Sequence, residues 1–265
     1  MLTITSMSYR SILRDITFSI EKGEFVALIG PNGAGKSTLL QVAAGFLAPT
    51  SGIVQLADRP IRSYRAKQRA ARLSYMPQTT VLDVPYTVSD IIQMGAYAHD
   101  RPDHDIIEKS IARCHVEHLL HRDLRSLSGG ERQRALLAKA LVQKADYLLL
   151  DEPVSALDIQ HQLEILTVLK SLAQEGQGVF VSIHHLEHVV TFADRVILLC
   201  DGKITADHAV RDVMSSHALR DAFAVDVALF DDPFTGEPRL SFARKSEGER
   251  VHRNRVAVEG GISLD

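Results

Sequence analysis

The sequence predicts an α/β protein built on a parallel sheet with helices on both faces. Three observations predict it. From residue 147 onward, strand-length apolar runs alternate with helix-period segments in the order Tyr147–Leu150, Ile159–Gln174, Val179–Ile183, His185–Phe192 and Val196–Cys200. Runs such as Leu148-Leu149-Leu150 lack any alternation with polar residues, the pattern of strands buried on both faces. Earlier, a strand over Phe25–Ile29 runs through a glycine-rich loop into a helix pattern over Lys36–Ala44 that stops at Gly45, a strand–loop–helix unit.

The remaining elements follow in order. Short alternating strands are expected at Leu2–Thr5 and Ile16–Ile20, with Lys22-Gly23 as a turn before Phe25. A further strand, Ile53–Ala57, follows Thr50-Ser51-Gly52. Helix patterns over Val88–Ala98, Asp103–Leu120 and Gly129–Gln143 interrupt the strand–helix alternation. They predict a helical subdomain over about residues 80–143, inserted in a domain spanning 1–244. The polar, aperiodic stretch Lys245–Asp265 is expected to be a poorly ordered tail.

Composition narrows the function. Of 265 residues, 45% are hydrophobic and 24% charged, which excludes a disordered chain, a collagen-like repeat and a disulfide scaffold. Thirty Lys and Arg against 33 Asp and Glu give a net charge of −3, so the bulk electrostatic footprint of a nucleic-acid binder is missing. The longest apolar runs fall well short of the ~18 residues that cross a bilayer. Residues 1–10 hold no signal-peptide stretch. Cys114 and Cys200 stand far apart and fit a reducing compartment. A cytosolic chain is expected, whose membrane role, if any, runs through a partner.

Gly30-Pro31-Asn32-Gly33-Ala34-Gly35-Lys36-Ser37, followed by Thr38, matches the phosphate-loop pattern G-x-x-x-x-G-K-[ST] between a strand and a helix. Glycines there let backbone N–H groups curl round phosphates at a helix N-terminus. Lys36 supplies a point charge and the Ser37 hydroxyl a ligand for Mg²⁺. Tyr147–Leu150 ends in Asp151-Glu152. In phosphate-loop ATPases a strand-end Asp holds Mg²⁺, and Glu152 stands where a general base would polarise the attacking water.

Leu127-Ser128-Gly129-Gly130-Glu131-Arg132-Gln133 resembles the signature motif of ATP-binding cassette (ABC) ATPases. The rest of that family's pattern falls in order. Gln78, after Tyr75-Met76-Pro77, is similar to the Q-loop, Ser155-Ala156-Leu157-Asp158 to the D-loop, and His184 to the switch histidine. Tyr9 stands where the family has an aromatic residue that stacks on adenine. The resemblance implies a P-loop NTPase (RecA-like) core, an N-terminal antiparallel β subdomain and an inserted α-helical signature subdomain. It implies a head-to-tail homodimer in which ATP lies between Lys36 of one subunit and Ser128, Gly129, Gly130, Glu131 and Asp158 of the other. It further implies Mg²⁺ held by Ser37, Gln78 and Asp151, catalysis by Glu152, His184, Gln78 and Asp151, and an integral-membrane permease dimer as partner.

The segment Asp232-Pro233-Phe234-Thr235-Gly236-Glu237-Pro238 resembles the C-terminal part of importers for iron–siderophore, heme and cobalamin. Val84-Pro85-Tyr86-Thr87-Val88 and Met94-Gly95-Ala96-Tyr97-Ala98-His99 are similar to the same group, although its members usually carry Arg and Pro where this chain has Ala96 and Ala98. His185 also replaces the Asp usual after the switch histidine. The implied setting is the cytoplasmic face of the cell membrane, with a substrate-binding protein acting indirectly and no nucleic acid. Zinc or manganese import, and a soluble ABC ATPase outside transport, are the alternatives.

Three other patterns carry a bland reading. His184-His185-Leu186-Glu187-His188 has the spacing of an inverted zinc-peptidase motif, but straddles an expected strand end. Cys114, His115, His118 and His121 fall in or at the end of one expected helix and read as a solvated face rather than a metal site. Arg250-Val251-His252-Arg253-Asn254-Arg255 reads as a solvated basic run.

Overall fold

A computed structural model describes residues 1–78, 85–100, 103–234 and 236–244. In chain order its elements are β1 (Leu2–Tyr9), β2 (Leu13–Ile20), β3 (Phe25–Ile29), α1 (Lys36–Ala43), β4 (Ser51–Leu56), β5 (Arg59–Pro60), α2 (Ala66–Ala70), β6 (Leu73–Met76), α3 (Val88–Ala96), α4 (His104–Arg113) and α5 (Gly129–Val142). There follow β7 (Tyr147–Asp151), α6 (Ile159–Gln174), β8 (Gly178–Ser182), α7 (Leu186–Phe192), β9 (Arg195–Cys200), β10 (Lys203–Ala209), α8 (Val210–Met214), α9 (His217–Phe223), β11 (Val225–Asp231) and β12 (Pro238–Arg244).

The central sheet has the order β10-β9-β3-β8-β7-β6, parallel except for β10, which pairs antiparallel with β9. Its strands divide their side chains between two cores. Phe25, Ala27 and Ile29 of β3, with Leu148 and Leu150 of β7, face the core formed with α3, α5, α6 and α7. Val26 and Leu28, with Tyr147 and Leu149, face the other, which holds α1 and the strands of a separate antiparallel sheet, β2-β1-β4-β5. Burial on both faces explains why these strands show no polar alternation.

The helical segment is held by its caps. Thr87 and Asp90 form a reciprocal capping box at α3, and Ser128 and Glu131 form another at α5. Gly95 lets α3 and α5 touch: a Cβ there would lie 2.3 Å from the Lys139 carbonyl oxygen. Gly95→Ala is therefore expected to destabilise the chain by about 1–3 kcal/mol, the cost of overpacking, read as a lowered thermal midpoint. An unchanged midpoint would show that the two helices part without cost.

Several expectations need correction. β1 continues to Tyr9 because Ser6, at φ +43°, introduces an irregularity that shifts the alternation without ending the strand. The expected helix Asp103–Leu120 stops at Arg113; His115 turns the chain at φ +52°, and a short 3-10 turn occupies Glu117–Leu119. Cys114 is fully buried in the core, which pushes its thiol up to about 12, whereas His115, His118 and His121 are exposed. Among the described residues no cluster of His, Cys, Asp or Glu is arranged to hold a metal ion. The strands β6 and β10, the helices α8 and α9 and the hairpin β11–β12 were not anticipated. The tail Lys245–Asp265, with its basic run, lies outside the described residues, as do Val84 and Thr235. Among the described residues, no helix is long and apolar enough to cross a membrane.

Candidate functional site

The loop between β3 and α1 is shaped by three glycines. Gly30 packs so closely on β9 that a Cβ would lie 2.1 Å from the Leu199 carbonyl oxygen. Gly33 and Gly35 take φ of +80° and +103°, conformations that side chains disfavour. Gly35 precedes α1, and no side chain caps the exposed N–H groups of the first turn. The Lys36 side chain folds back over the loop, where Nζ donates to the carbonyl oxygens of Gly30 at 2.8 Å and Pro31 at 3.1 Å. Burial lowers its ammonium below the ordinary lysine value, against the opposing pull of Glu152 and Asp151.

Opposite the loop stands Glu152. β7 carries it to the end of the buried sheet, and its backbone there adopts φ +51°, a left-handed conformation that costs a non-glycine residue about 1–2 kcal/mol. Its carboxylate accepts a hydrogen bond from Gln78 Nε2 at 2.7 Å and makes a short contact with His184 Nε2. A cavity of about 770 Å³ separates these three from the loop; Ile12, Asn32, Gly33, Gly35, Lys36, Ser37 and Thr38 form its other wall. Residues far apart in sequence thus meet because β3, β7 and β8 are adjacent parallel strands whose C-terminal ends open on one edge.

Asp151 lies behind this wall, 2% exposed, with one carboxylate oxygen accepting from the Ser182 hydroxyl at 2.7 Å. Ser182 also accepts from the Glu152 N–H at 2.9 Å, so one buried hydroxyl on β8 fixes both acids. Sequence reasoning missed Ser182, whose only signal was a hydroxyl near the end of an apolar strand. Ile12 was missed too. It is 40% exposed on the cavity wall, whereas Tyr9 is 8% exposed, packs in the core and does not reach that wall. The Arg10 guanidinium lies 5.2 Å from the Tyr9 ring centre. Pro31 and Ala34 turn to a second hollow on the far side of the loop, shared with Cys200 and Asp201.

The signature residues Ser128, Gly129, Gly130 and Glu131 do not line the phosphate-loop cavity of their own chain. Ser128 caps α5, with its hydroxyl and N–H both donating to Glu131 Oε2 at 2.8 Å, contacts that hold the Glu131 carboxyl below its usual range. Asp158 caps α6 by accepting from the His161 N–H at 2.9 Å and contacts the same residue's Nδ1. The structure therefore assembles Gln78, Glu152 and His184 with the loop and leaves the signature and Asp158 elsewhere. His184 contacts Glu152 while His188 contacts Gln162 Oε1 at 2.8 Å, so the inverted zinc-peptidase spacing gathers no metal site. The oxygen donors Ser37, Asp151 and Gln78 are of the hard type that suits Mg²⁺.

Known proteins are similar to this chain in sequence and in fold. The family model described as ABC transporter matches residues 13–155, more than half of the chain. The hemin import ATP-binding protein HmuV of Rhodopseudomonas palustris is 40% identical over 231 residues, covering 84% of this chain and 86% of its own. The cobalamin import ATP-binding protein BtuD of Halobacterium salinarum is 38% identical over 231 residues, covering 85% of this chain; the match spans only 58% of that longer relative. Among solved structures, a metal-chelate type ABC transporter in an inward-facing conformation superposes with a TM-score of 0.76 at 27% identity, over 91% of this chain and 96% of that one. A full phosphate loop facing a strand-end carboxylate, and these extended likenesses, lead to one conclusion: the chain belongs to the ABC transporter family.

Proposed function

We propose that the chain is the ATP-hydrolysing subunit of an importer that takes up an iron chelate, heme or cobalamin through a membrane permease. The observation that carries the chemistry is Glu152, held between Gln78 and His184 across one cavity from the phosphate loop. ATP would place its phosphates on the loop, where Lys36 exchanges its two carbonyl partners for phosphate oxygens and the N–H groups of α1 meet the charge. Glu152 accepts a proton from the attacking water as the water oxygen bonds to the γ-phosphorus and the bond to the ADP oxygen breaks. His184 and Gln78 hold Glu152 and contact the γ-phosphate. Mg²⁺, held by Ser37, Gln78 and Asp151, would neutralise charge on the phosphate oxygens. Adenine stacking on Tyr9 requires Arg10 to swing off its ring, and Ile12 supplies the apolar edge nearest the loop.

Because the signature does not line its own chain's cavity, a second copy related head to tail supplies it. Ser128, Gly129, Gly130, Glu131 and Asp158 then act in trans, and ATP closes the homodimer because it binds the closed form better. We divide the chain into a catalytic domain over 1–244, with a helical insertion over about 80–143, and a tail. A groove of about 430 Å³, lined by Phe46, Tyr75, Pro77, Leu136 and Lys139 among others, lies between α5 and the core and supports this face as the one that meets a cytoplasmic segment of the permease. The names of the two relatives support hemin or cobalamin as cargo class and give none to zinc, manganese or a role outside transport. The substrate-binding protein acts through the permease, at the membrane's other face, and no nucleic acid is involved.

Capture from native membranes tests this reading. Glu152→Gln, loaded with ATP and Mg²⁺, is expected to retain a polytopic permease identified by mass spectrometry. Phe46→Asp is expected to lose the permease while keeping ATPase turnover, since Phe46 is 62% exposed and away from the nucleotide cavity. Recovery of ribosomal or DNA-processing proteins without a permease would overturn the importer reading and leave the ATPase standing.

A further inference from the structure

Gln133 lies in α5, just beyond its capping box, and is 7% exposed. Its amide is used entirely outside its own helix. Nε2 donates to the Glu152 carbonyl oxygen at 2.5 Å, and Oε1 accepts from the Ala156 N–H at 3.1 Å. A buried amide satisfied at both ends between two elements fixes their relative position, because releasing either end leaves a buried polar group unpaired.

The backbone it grips is the left-handed turn at Glu152. That residue's N–H is held by Ser182, and its carbonyl oxygen also accepts from the Ser155 hydroxyl at 3.2 Å and N–H at 3.3 Å. Of these carbonyl partners Gln133 has the shortest contact and alone comes from another element. Its second end is Ala156, on which the signature glycines sit. A Cβ on Gly130 would lie 3.1 Å from the Ala156 carbonyl oxygen, and one on Gly129 would lie 3.6 Å from Ala156 Cβ. The first turn of α5 and the segment from 152 to 157 are thus packed and bonded as one unit.

We infer that Gln133 is a positioning residue that transmits the state of the signature turn to Glu152 of the same chain, and so couples the two nucleotide sites of the dimer. Nucleotide held by one subunit presses on Ser128–Gly130 of the other. Through Gln133 that contact sets the backbone, and hence the carboxylate, that serves the second nucleotide. The inference rests on the reading of Glu152 as general base and of the signature as acting in trans. Gln133 touches no reacting atom itself, so its loss should lower turnover and cooperativity without weakening nucleotide binding.

The test uses Gln133→Leu in the full chain, with phosphate release followed against ATP concentration. Expected are a kcat lower by about tenfold or more, the scale of a displaced catalytic group, and a KM for ATP within about twofold. The Hill coefficient should fall from above 1 in the parent chain to about 1. Added to Glu152→Gln, it should cause no further loss of turnover, because both changes act through one carboxylate. Gln133→Glu keeps the acceptor for Ala156 and removes the donor to Glu152; it carries the same test where the leucine variant fails to fold. Unchanged kcat and Hill coefficient in folded variants, a parent Hill coefficient of 1, or additive loss on Glu152→Gln would each overturn the inference while leaving Glu152 as the base. Normal turnover by Glu152→Gln alone would instead remove the reading on which it rests.

Discussion

Glu152→Gln is expected to bind ATP normally and to hydrolyse it at least about 10²-fold more slowly, the loss that follows removal of a positioned general base. The substitution is nearly isosteric, and its carbonyl oxygen can still accept from Gln78 Nε2, the contact seen at 2.7 Å. The backbone ties to Ser182 and Gln133 involve no carboxylate oxygen and are kept. The fold and the phosphate loop should therefore survive, and the slowed chain should accumulate as an ATP-bound dimer. Phosphate release and size-exclusion chromatography with ATP and Mg²⁺ check both halves. Near-normal turnover would take the chemistry away from Glu152.

Lys36→Ala is expected to act on binding instead. Lys36 is 7% exposed and its ammonium sits against two loop carbonyls, poised over the concavity that the glycines leave. Removing one partner of a buried charge pair costs about 2–5 kcal/mol, so ATP affinity should weaken on the order of 10²-fold or more. Titration with a fluorescent nucleotide measures this directly, with circular dichroism as the check on folding. Unchanged affinity would contradict the assignment of the loop.

The contrast between the two variants follows the geometry. Lys36 belongs to a loop motif complete within the eight consecutive residues Gly30–Ser37, whereas Glu152 works only through side chains delivered by other strands and by α5. The phosphate loop was legible for that reason: its glycines, lysine and serine lie together, and the flanking strand and helix carry their own periodicities. The capping box at Ser128 and Glu131 is similarly local. The central strands were legible because burial on both faces leaves an unbroken apolar run.

Other features escaped because no short window contains their cause. The apolar spacing through Cys114, Val116 and Leu119 imitates a helix, but Cys114 caps the helix that ends at Arg113, and Val116 and Leu119 reach the core from a chain that has already turned at His115. Ser6 breaks the alternation of β1, so the strand looked shorter than it is. The outer strands β10, β11 and β12 mix charged, polar and apolar residues because one face of each meets solvent.

The sequence by itself determined the nucleotide loop, the chain order of β3, β7, β8 and β9 with the helices α1, α6 and α7, and the presence of Gln78, Glu152 and His184 among the residues that meet at the cavity. Its contiguous motifs encode local backbone shape and local charge. Only the tertiary structure decided that Ser182 anchors both acids, that Ile12 rather than Tyr9 edges the cavity, and that Gln133 ties the signature helix to Glu152. Those contacts join residues 19 to 31 positions apart or lie across separate strands, and hydrogen bonds of that kind are selected by the packing of whole elements rather than by any neighbouring residue.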